Sequence, residues 1–273
     1  MSGRAEAAGT GSAKPPRRRL GRLVLLTTAL RIVVLEATWN QRGQQSLGLL
    51  TVVDPALRIL YAGDPARLKE ARKRNLGFFN TNPVASGLVI GAALNLEEEM
   101  AAGRDFAEGY KPIVLALAST FANEGDRLFW QSWLPACSLA GVLVCLLTGS
   151  AWAPLLTPLL FCLAAWPIRI WGVFKGYETG YNVYQVYRLF GGERLIKSLQ
   201  WVWTVLLAAA AALVFHRAAP PPGPVWPQAL WLVLAAGALW LHRRLCFGHE
   251  PGVGFVLYPV LLCVLGVLTA VLS

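Results

Sequence analysis

The feature that most constrains this chain is a series of long apolar runs in its second half. From Trp133 onward the sequence contains five such runs, at about residues 133–149, 152–171, 199–216, 226–241 and 253–272. A helix of about 20 apolar residues is needed to cross the roughly 30 Å hydrocarbon core of a membrane. Tryptophans favour the membrane–water interface, and several lie near the ends of the runs: Trp133, Trp152, Trp171, Trp201, Trp203, Trp226 and Trp240. We therefore predict an all-α, polytopic integral membrane protein with about five C-terminal transmembrane helices. Because two runs are marginal in length, a re-entrant hairpin in place of one pair is an open alternative.

The first half of the chain has a different pattern. Between Leu23 and Trp130, short apolar helical stretches alternate with charged turns, and no uninterrupted apolar run is long enough to span a membrane. We expect short or re-entrant helices on the cytosolic side over residues 23–130 and a transmembrane region over residues 131–273. Residues 1–22 combine Gly, Ala, Ser and Pro with arginines, which predicts a disordered basic tail beside anionic lipid of the cytosolic leaflet.

The basic residues that give the net charge of +10 are not gathered on one face. Their distribution along the chain matches the predicted membrane topology. Residues 1–22 carry six basic residues and one acidic residue (+5), residues 23–130 carry eleven of each (0), and residues 131–273 carry eight and three (+5). Only 15% of the residues are charged, which excludes a disordered chain and a globule that binds nucleic acid. The positive-inside rule places the N-terminal half on the cytosolic side and the C-terminus outside. The basic residues that flank alternate loops are Arg169, Lys175, Arg188, Arg194, Lys197, Arg243 and Arg244.

The sequence predicts no cofactor, no metal site and no catalytic set. It contains no nucleophile elbow and no phosphate-binding glycine loop. The cysteines form no CxxC pair and have no histidine at ligand spacing, which favours buried small hydrophobic residues over a disulfide or metal framework. They are Cys137, Cys145, Cys162, Cys246 and Cys263. Interfacial packing is the favoured interpretation of the three histidines, His216, His242 and His249, which lie at the ends of predicted spans.

The segment FFNTNP at residues 78–83 is the most informative part of the sequence. A residue before proline is pushed out of the α region, so Asn82 is expected to cap a helix that begins at Pro83 and ends near Gly103. Asn80 and Thr81 are expected to remain extended with free side chains, offering donors and acceptors that suit a neutral polyol. The alternative is that these residues only cap and turn the chain. Gly87 and Gly91 are spaced for close packing against another helix.

Two Asp-Pro pairs predict helix starts, because an acidic cap followed by proline is a strong local signal. They are Asp54-Pro55 and Asp64-Pro65. The helix after Asp64 carries several basic residues and is expected to be a solvated or lipid-facing surface, with an acidic cytosolic partner as the alternative. Those residues are Arg67, Lys69, Arg72, Lys73 and Arg74. Glu97, Glu98 and Glu99 lie near a helix C-terminus, where the dipole disfavours negative charge. We expect them to be solvated; pairing with the basic helix or with a partner is the alternative.

Two further polar clusters are candidates for a ligand path. Glu36, Asn40 and Gln44 recur every four residues, which predicts one polar helix face, with Trp39 available to stack on a sugar ring. A soluble amphipathic face would show the same pattern. The segment NEGDRLFW at residues 123–130 places ionisable groups just before the first long run. An ion pair of its acidic residues with Arg127 is the alternative to a ligand role.

These motifs resemble the IID component of the mannose/fructose/sorbose-type bacterial sugar phosphotransferase system. The resemblance is carried by FFNTNP at 78–83, by the Glu97-Glu98 pair, by GD and LFW within 125–130, and by GVFKGYETG at 172–180. Trp39-Asn40 and Gln45 also lie where the family has its WN…Q pattern. The similarity covers about residues 20–273.

The resemblance implies a multi-pass subunit of the bacterial inner membrane that joins a IIC subunit to form a sugar-translocating unit, assembled as a higher oligomer. IIA and IIB phosphocarriers supply the phosphate, and IID itself is neither phosphorylated nor catalytic alone. Carried over to this chain, the candidates for the substrate path are Asn40, Gln45, Asn80, Thr81, Asn82 and Asp126. Candidates for partner contact or packing are Gly87, Gly91, Glu97 and Glu98.

The chain departs from the family pattern in two places. The small-residue run GPLAGIGDS of the family is replaced by ASTFANEGDR at 118–127, which introduces Phe121, Glu124 and Arg127. Arg42 stands where an acidic residue is common after the WN motif. Two functions are therefore kept: the IID subunit of a sugar permease, and a divergent interaction or regulatory subunit that keeps the fold without moving sugar. A membrane enzyme ranks below both, because no acid–base or metal set converges.

Overall fold

The computed structural model describes residues 19–104, 107–189 and 192–218, together with Gly237. The chain divides into two compact units, residues 1–212 and 213–273. Of the second unit, only the end of one helix and Gly237 are described. All regular structure in the described residues is helical apart from two isolated bridges. The α-helices are α1 (Arg22–Arg31), α2 (Ser46–Leu60), α3 (Pro65–Asn75), α4 (Ser86–Ala101), α5 (Ala107–Gly125), α6 (Leu134–Thr148), α7 (Leu156–Thr179), α8 (Tyr184–Leu189) and α9 (Gly192–Ala218).

The folded region begins earlier than the sequence predicts. The expected tail of residues 1–22 lies outside the described residues up to residue 18, but Leu20 is 5% exposed and α1 begins at Arg22. The backbone N–H of Leu20 donates to the Glu98 carboxylate at 3.1 Å and to the Tyr177 hydroxyl at 3.2 Å. Leu20 is therefore hydrogen-bonded to α4 and α7, and residues 20–22 belong to the described fold.

The expected helix through Glu36, Asn40 and Gln44 is wrong. α1 ends at Arg31 and a short 3₁₀ turn continues to Val34, after which the chain forms turns. Asn40 and Gln44 form an antiparallel bridge, and Gln44 adopts φ 55°, outside the right-handed helical region. A spacing of four residues is shared by a helix face and by the two ends of a tight loop, and here the loop is formed.

Only one of the two Asp-Pro pairs starts a helix. Asp64 accepts a hydrogen bond from the Arg67 N–H at 3.0 Å, and α3 begins at Pro65. Pro55 instead lies inside α2, nine residues after its start at Ser46. Buried residues before Pro55, including Val52 and Val53, keep the helix intact, so tertiary packing outweighs the hydrogen bond that a proline removes.

Helices α4 and α7 form the central packing contact. Cβ atoms built on Gly87 and Gly91 would lie 2.3 and 2.2 Å from the carbonyl oxygens of Arg169 and Val173 in α7. The contact is reciprocal, because a Cβ on Gly176 would lie 2.1 Å from the carbonyl oxygen of Leu88. Backbone meets backbone here, so these positions accept only glycine. Helices α1, α2 and α5 complete the surrounding core.

A continuous helix joins the two predicted halves of the chain. α5 passes through a π-helical segment, Asp126–Trp133, directly into α6. Pro135 lacks the N–H that would continue the i→i−4 pattern, and the Ser132 hydroxyl donates to the Arg127 carbonyl at 2.7 Å. The domain boundary expected at residues 130–131 therefore falls inside a helix.

Two helical stretches in the described residues are long and apolar enough to cross a membrane, Glu108–Thr148 with 41 residues and Ala153–Val186 with 34. They contain the first two predicted apolar runs. The third run lies within α9, and the fourth and fifth lie outside the described residues apart from Gly237.

Candidate functional site

The motif loops at residues 35–45 and 78–83 are joined through Gln45. The backbone N–H of Gln45 donates to the Phe79 carbonyl at 2.9 Å, and Gln44 forms a parallel bridge with Phe79. The Gln45 side chain bonds the backbone of Thr81 twice, donating to its carbonyl at 2.7 Å and accepting from its N–H at 2.9 Å. Its second amide hydrogen goes to the Glu36 carboxylate at 2.6 Å. Both amide hydrogens and the amide oxygen of Gln45 are thus hydrogen-bonded, and the side chain holds the FFNTNP segment in place.

Thr81 is the least satisfied residue of this segment. Its side chain is 3% exposed, and its Oγ1 has no hydrogen-bond partner among the described residues. Buried hydroxyls are nearly always hydrogen-bonded, so one without a partner has a donor and an acceptor to offer. The expectation that the Thr81 side chain is free applies to its hydroxyl, but the residue is buried.

Asn82 connects the turn before α4 with the π-helical segment that follows α5. Its Oδ1 accepts from the Val84 N–H at 2.9 Å and from the Ala85 N–H at 3.3 Å, so the expected hydrogen bonds form, but they cap a turn at residues 83–85. The expected helix start at Pro83 is therefore wrong, because α4 begins at Ser86 and its N-cap residue, Ala85, makes no side-chain cap hydrogen bond. The Asn82 Nδ2 donates to the Asp126 carboxylate at 2.8 Å, 44 residues away. Asn82 is 1% exposed.

The approach of α5 to Asn82 depends on Gly125. A Cβ at this position would lie 2.4 Å from the Asn82 Cβ and 2.7 Å from its Cγ. Gly125 thereby lets the next residue, Asp126, reach the Asn82 amide. In the Gly-Asp pair, Gly125 therefore leaves space for the Asn82 side chain, and Asp126 accepts a hydrogen bond from it.

The remaining predicted path residues lie at the edge of this group. Asn40 is partly buried, and its Oδ1 accepts from the Gly43 N–H at 2.8 Å, which closes the tight loop between Asn40 and Gln44. Asn80 is exposed, next to buried Thr81 and Asn82. Trp39 is 52% exposed. The structure therefore brings Gln45, Thr81, Asn82 and Asp126 into one hydrogen-bonded region, with Asn40 closing its loop and Asn80 on its surface.

Arg127 is compensated by two carboxylates. It pairs with Glu124 on the same helix at 3.4 Å and with Glu193 of α9 at 2.8 Å. The alternative of an ion pair in this segment is confirmed for Glu124, whereas Asp126 bonds Asn82 instead. Phe121, another departure from the family pattern, is 1% exposed in the main core.

The three glutamates of α4 are buried, so the expectation that they are solvated is wrong. Glu97 is 1% exposed and accepts from Tyr61 at 2.7 Å, from Arg74 at 2.8 Å and from Asn75 at 2.9 Å. Burial and the Glu97 carboxylate raise the pKa of the Tyr61 hydroxyl well above its usual value. Pairing with the basic helix α3, the alternative stated above, is confirmed for Glu97.

Glu98 and Glu99 have separate partners. Glu98 accepts hydrogen bonds from the Leu20 N–H and from the Tyr177 hydroxyl of α7. Glu99 pairs with Arg104 at 2.8 Å, just beyond the end of α4. Each acidic side chain near the negative end of the α4 dipole thus has its own donor, which offsets the unfavourable field.

Sequence reasoning did not assign Arg169 to this region. The residue lies in α7, its guanidinium lies over the Trp166 ring at 5.6 Å, and its backbone carbonyl contacts α4 at Gly87. Its Nε is buried without a hydrogen-bond partner among the described residues. An arginine inside an apolar run was a signal, but the positive-inside interpretation placed it in a loop.

Comparison with known proteins supports one family for the chain. The family model described as "PTS system mannose/fructose/sorbose family IID component" matches residues 20–216. The chain is 34% identical over 155 residues to the "PTS system mannose-specific EIID component" of Escherichia coli (strain K12), covering 56% of this chain and 54% of that protein. It is 27% identical over 198 residues to the "Fructose permease IID component" of Bacillus subtilis (strain 168), covering 72% of this chain and 70% of that protein. The first of these matches spans about half the length of the curated relative.

Two solved structures share the fold. A chain of the "CryoEM Structure of Mannose Transporter ManYZ and Microcin E492 (MceA) complex" aligns with a TM-score of 0.56 at 23% identity, covering 93% of this chain and 98% of that one. A chain described as "Structure of membrane protein" aligns with a TM-score of 0.67 at 22% identity and the same coverage. Both similarities concern the fold.

Proposed function

Because the chain belongs to the mannose/fructose/sorbose family of phosphotransferase-system IID components, we propose that it is the IID membrane subunit of a phosphoenolpyruvate-dependent sugar permease. In this proposal it forms the translocation unit with a IIC subunit, several such pairs assemble together, and IIA and IIB proteins deliver the phosphate. The IID chain holds sugar-path residues and carries out no phosphoryl transfer itself.

The hydrogen bond between Asn82 and Asp126 carries this proposal. It joins the two motifs FFNTNP and GD across 44 residues, and the adjacent Thr81 hydroxyl has no partner among the described residues. Amides, a hydroxyl and one carboxylate side by side can both donate to and accept from the hydroxyls of a neutral sugar. We therefore propose that Asn80, Thr81, Asn82 and Asp126 line or shape the sugar path, with Gln45 and Asn40 fixing the loops.

The proposed topology extends the two described candidate spans. The N-terminal helices lie on the cytosolic side of the bacterial inner membrane, and the chain crosses it about five times to reach an external C-terminus. The distribution of basic residues among the loops supports this orientation. Attaching a reporter active only in the cytosol to the C-terminus tests it, because we expect no reporter activity there and full activity at the N-terminus.

A non-transporting regulatory subunit was the other function open from the sequence. Arg127 motivated that alternative because it replaces a small residue, but it is paired with Glu124 and Glu193. An arginine held by two carboxylates adds no unbalanced positive charge to the region. No comparison supports the alternative, and the permease subunit is the function we retain.

Sugar uptake by the reconstituted system tests the proposed function. The chain is co-expressed with its IIC, IIA and IIB partners in cells that lack other routes for the sugar, and phosphoenolpyruvate-dependent uptake of labelled hexoses is measured. Asn82→Ala and Asp126→Ala are each expected to lower uptake at least about tenfold, since each loses a buried hydrogen bond worth about 1.5–3 kcal/mol. Thr120→Ala is the matched control, because Thr120 lies on α5 and its exposed hydroxyl bonds only its own helix.

Membrane insertion of every variant is checked by fractionation and by co-purification of the IIC subunit. No uptake of any hexose by the complete native system would reject the permease function. Full uptake by both Asn82→Ala and Asp126→Ala, at equal protein levels, would reject the site and leave the function intact.

A further inference from the structure

An open groove of about 700 Å³ lies between α1, α2 and α3, separate from the proposed sugar path. Its charged lining consists of Arg31 from α1, Asp54 and Arg58 from α2, and Arg72 from α3. Leu50, Thr51 and Pro55 complete the lining. Three guanidinium groups and one carboxylate leave the groove with two net positive charges.

The arginines keep donors available after their internal pairing. Arg58 and Arg72 both bond the Asp54 carboxylate through Nε, at 2.7 and 2.6 Å. Arg72 adds one Nη2 bond at 3.3 Å, and the Arg31 guanidinium makes no hydrogen bond or ion pair with any residue that the structure describes. Each guanidinium carries five N–H donors. Asp54 thus holds two of the arginines in place without using most of their donors.

Exposed apolar side chains lie close to the lining residues along α1 and α2. Leu30, next to Arg31, is 51% exposed, and Leu47, one turn before Leu50 and Thr51 on α2, is 48% exposed. Ile59, directly after Arg58, is 41% exposed. The outer face of α2 therefore changes from apolar at Leu47 to cationic at Arg58. Over eleven residues this is about 16 Å of helix, more than the roughly 5–7 Å headgroup region of one leaflet, so the face is long enough to extend from a lipid phosphate into the acyl-chain region.

This arrangement matches a phospholipid better than a soluble ligand. Guanidinium groups bind phosphate oxygens through paired hydrogen bonds, and apolar side chains beside a basic cluster are typical of contact with anionic membrane lipid. We propose that the groove between α1, α2 and α3 is a binding site for the headgroup of an anionic phospholipid, with the acyl chains along Leu30 and Leu47. Binding there fixes the three helices at the membrane surface.

Lipid binding by the purified full chain tests this proposal independently of sugar transport. The protein in neutral detergent is titrated with phosphatidylglycerol or phosphatidylcholine, and bound lipid is counted by native mass spectrometry. The double variant Arg31→Gln/Arg58→Gln keeps the Asp54–Arg72 pair. It is expected to bind phosphatidylglycerol about ten- to thirtyfold more weakly, because each basic residue near an anionic surface contributes about 1 kcal/mol. Lys69→Gln/Lys73→Gln is the matched control, with the same charge loss at two exposed positions of α3.

A variant with the opposite sign guards against misfolding as the cause. Asp54→Asn removes the carboxylate of the groove and is expected to strengthen phosphatidylglycerol binding severalfold. Equal binding by the native chain and Arg31→Gln/Arg58→Gln, or equal binding of phosphatidylcholine and phosphatidylglycerol, overturns the proposal. Displacement of the lipid by inorganic phosphate or by an acidic peptide at similar concentrations assigns the groove to a soluble anion or a protein partner, and overturns it as well.

Discussion

The side-chain amide of Gln45 forms two hydrogen bonds with the backbone of one residue, Thr81, at 2.7 and 2.9 Å. It therefore replaces the paired bonds that a neighbouring strand would supply to an extended segment. Gln45 and Thr81 are both 3% exposed, so water cannot take over these bonds if the amide is removed. The position of FFNTNP in the fold depends on this one side chain.

Gln45→Ala is expected to destabilise the protein by about 2–4 kcal/mol, since two buried backbone groups of Thr81 lose their partners. The measurement is the midpoint of thermal unfolding in detergent, followed by circular dichroism. Gln41→Ala, in the same loop but exposed, should change stability by less than about 0.5 kcal/mol. Equal midpoints for the two variants would show that water or a rearranged loop satisfies Thr81.

Glu97→Gln is expected to cost about 3 kcal/mol, because it leaves the half-buried Arg74 without its counter-charge. Unfolding by denaturant measures the loss, and a double-mutant cycle with Arg74→Gln should show strong coupling. The pair of Glu178 with Lys175 on α7, whose glutamate side chain is 68% exposed, supplies the control variant Lys175→Gln, expected to cost less than about 1 kcal/mol. A coupling energy near zero would contradict the assignment of the α3–α4 contact to this ion pair.

Gly91→Ala should prevent α4 and α7 from meeting. The new Cβ would lie 2.2 Å from the Val173 carbonyl oxygen and 2.6 Å from the Tyr177 N, and backbone atoms cannot move aside. We expect a loss of about 3 kcal/mol or more, or failure to accumulate in the membrane. Gly109→Ala is the control, because the nearest atom is 3.8 Å away and alanine favours a helix. Accumulation of Gly91→Ala at native levels with native stability would show that the contact is looser than its geometry.

The contribution of Asp54 to stability should depend on pH. Partial burial opposes its ionisation, but hydrogen bonds from Arg72 and Arg58 outweigh this effect and hold the pKa of the carboxyl below its usual value. A carboxyl with a lowered pKa stabilises the folded state above its unfolded pKa of about 3.9, and this contribution is lost as pH falls through the folded pKa.

The stability difference between the native chain and Asp54→Asn is therefore expected to be constant above about pH 5 and to shrink below about pH 4. Denaturant unfolding at a series of pH values from about 3 to 7 measures it. Glu70→Gln removes an exposed acid of α3 and should show no such dependence. A difference that grows as the pH falls would reverse the sign and refute the role of the two arginines.

Local signals in the sequence predicted local structure. The cap at Asp64 is present, and Asn82 makes the expected hydrogen bonds to the amides of Val84 and Ala85, although α4 begins only at Ser86. The Asp54-Pro55 pair carries the same signal, but Asp54 turns to Arg58 and Arg72 and α2 runs through Pro55. A cap motif shows which hydrogen bond a side chain is able to form. Whether another partner, such as Arg58 or Arg72 for Asp54, takes that side chain instead depends on the fold.

Long-range contacts were beyond the reach of the sequence alone. Gln45 and Thr81 are 36 residues apart, and Asn82 and Asp126 are 44 apart, so no periodicity connects them. The family resemblance grouped these residues, but it did not indicate which of them bond one another. For Glu97, the unfavourable dipole left pairing only as the alternative to the expected solvation, because the burial of Glu97 depends on where α3 packs.

The π-helical segment Asp126–Trp133 acts as an angular offset between the two parts of a long helix. Each π turn holds one residue more than an α turn, and one residue corresponds to about 100° of rotation. At the start of the segment, Asp126 faces Asn82; beyond it, Gly141 of α6 contacts Ala153 and Thr157. The extra residue changes the angle between the directions in which these two contacts face. One continuous helix can therefore pack against two neighbours that lie in different directions. The direction in which Asp126 faces is then set independently of the packing of α6.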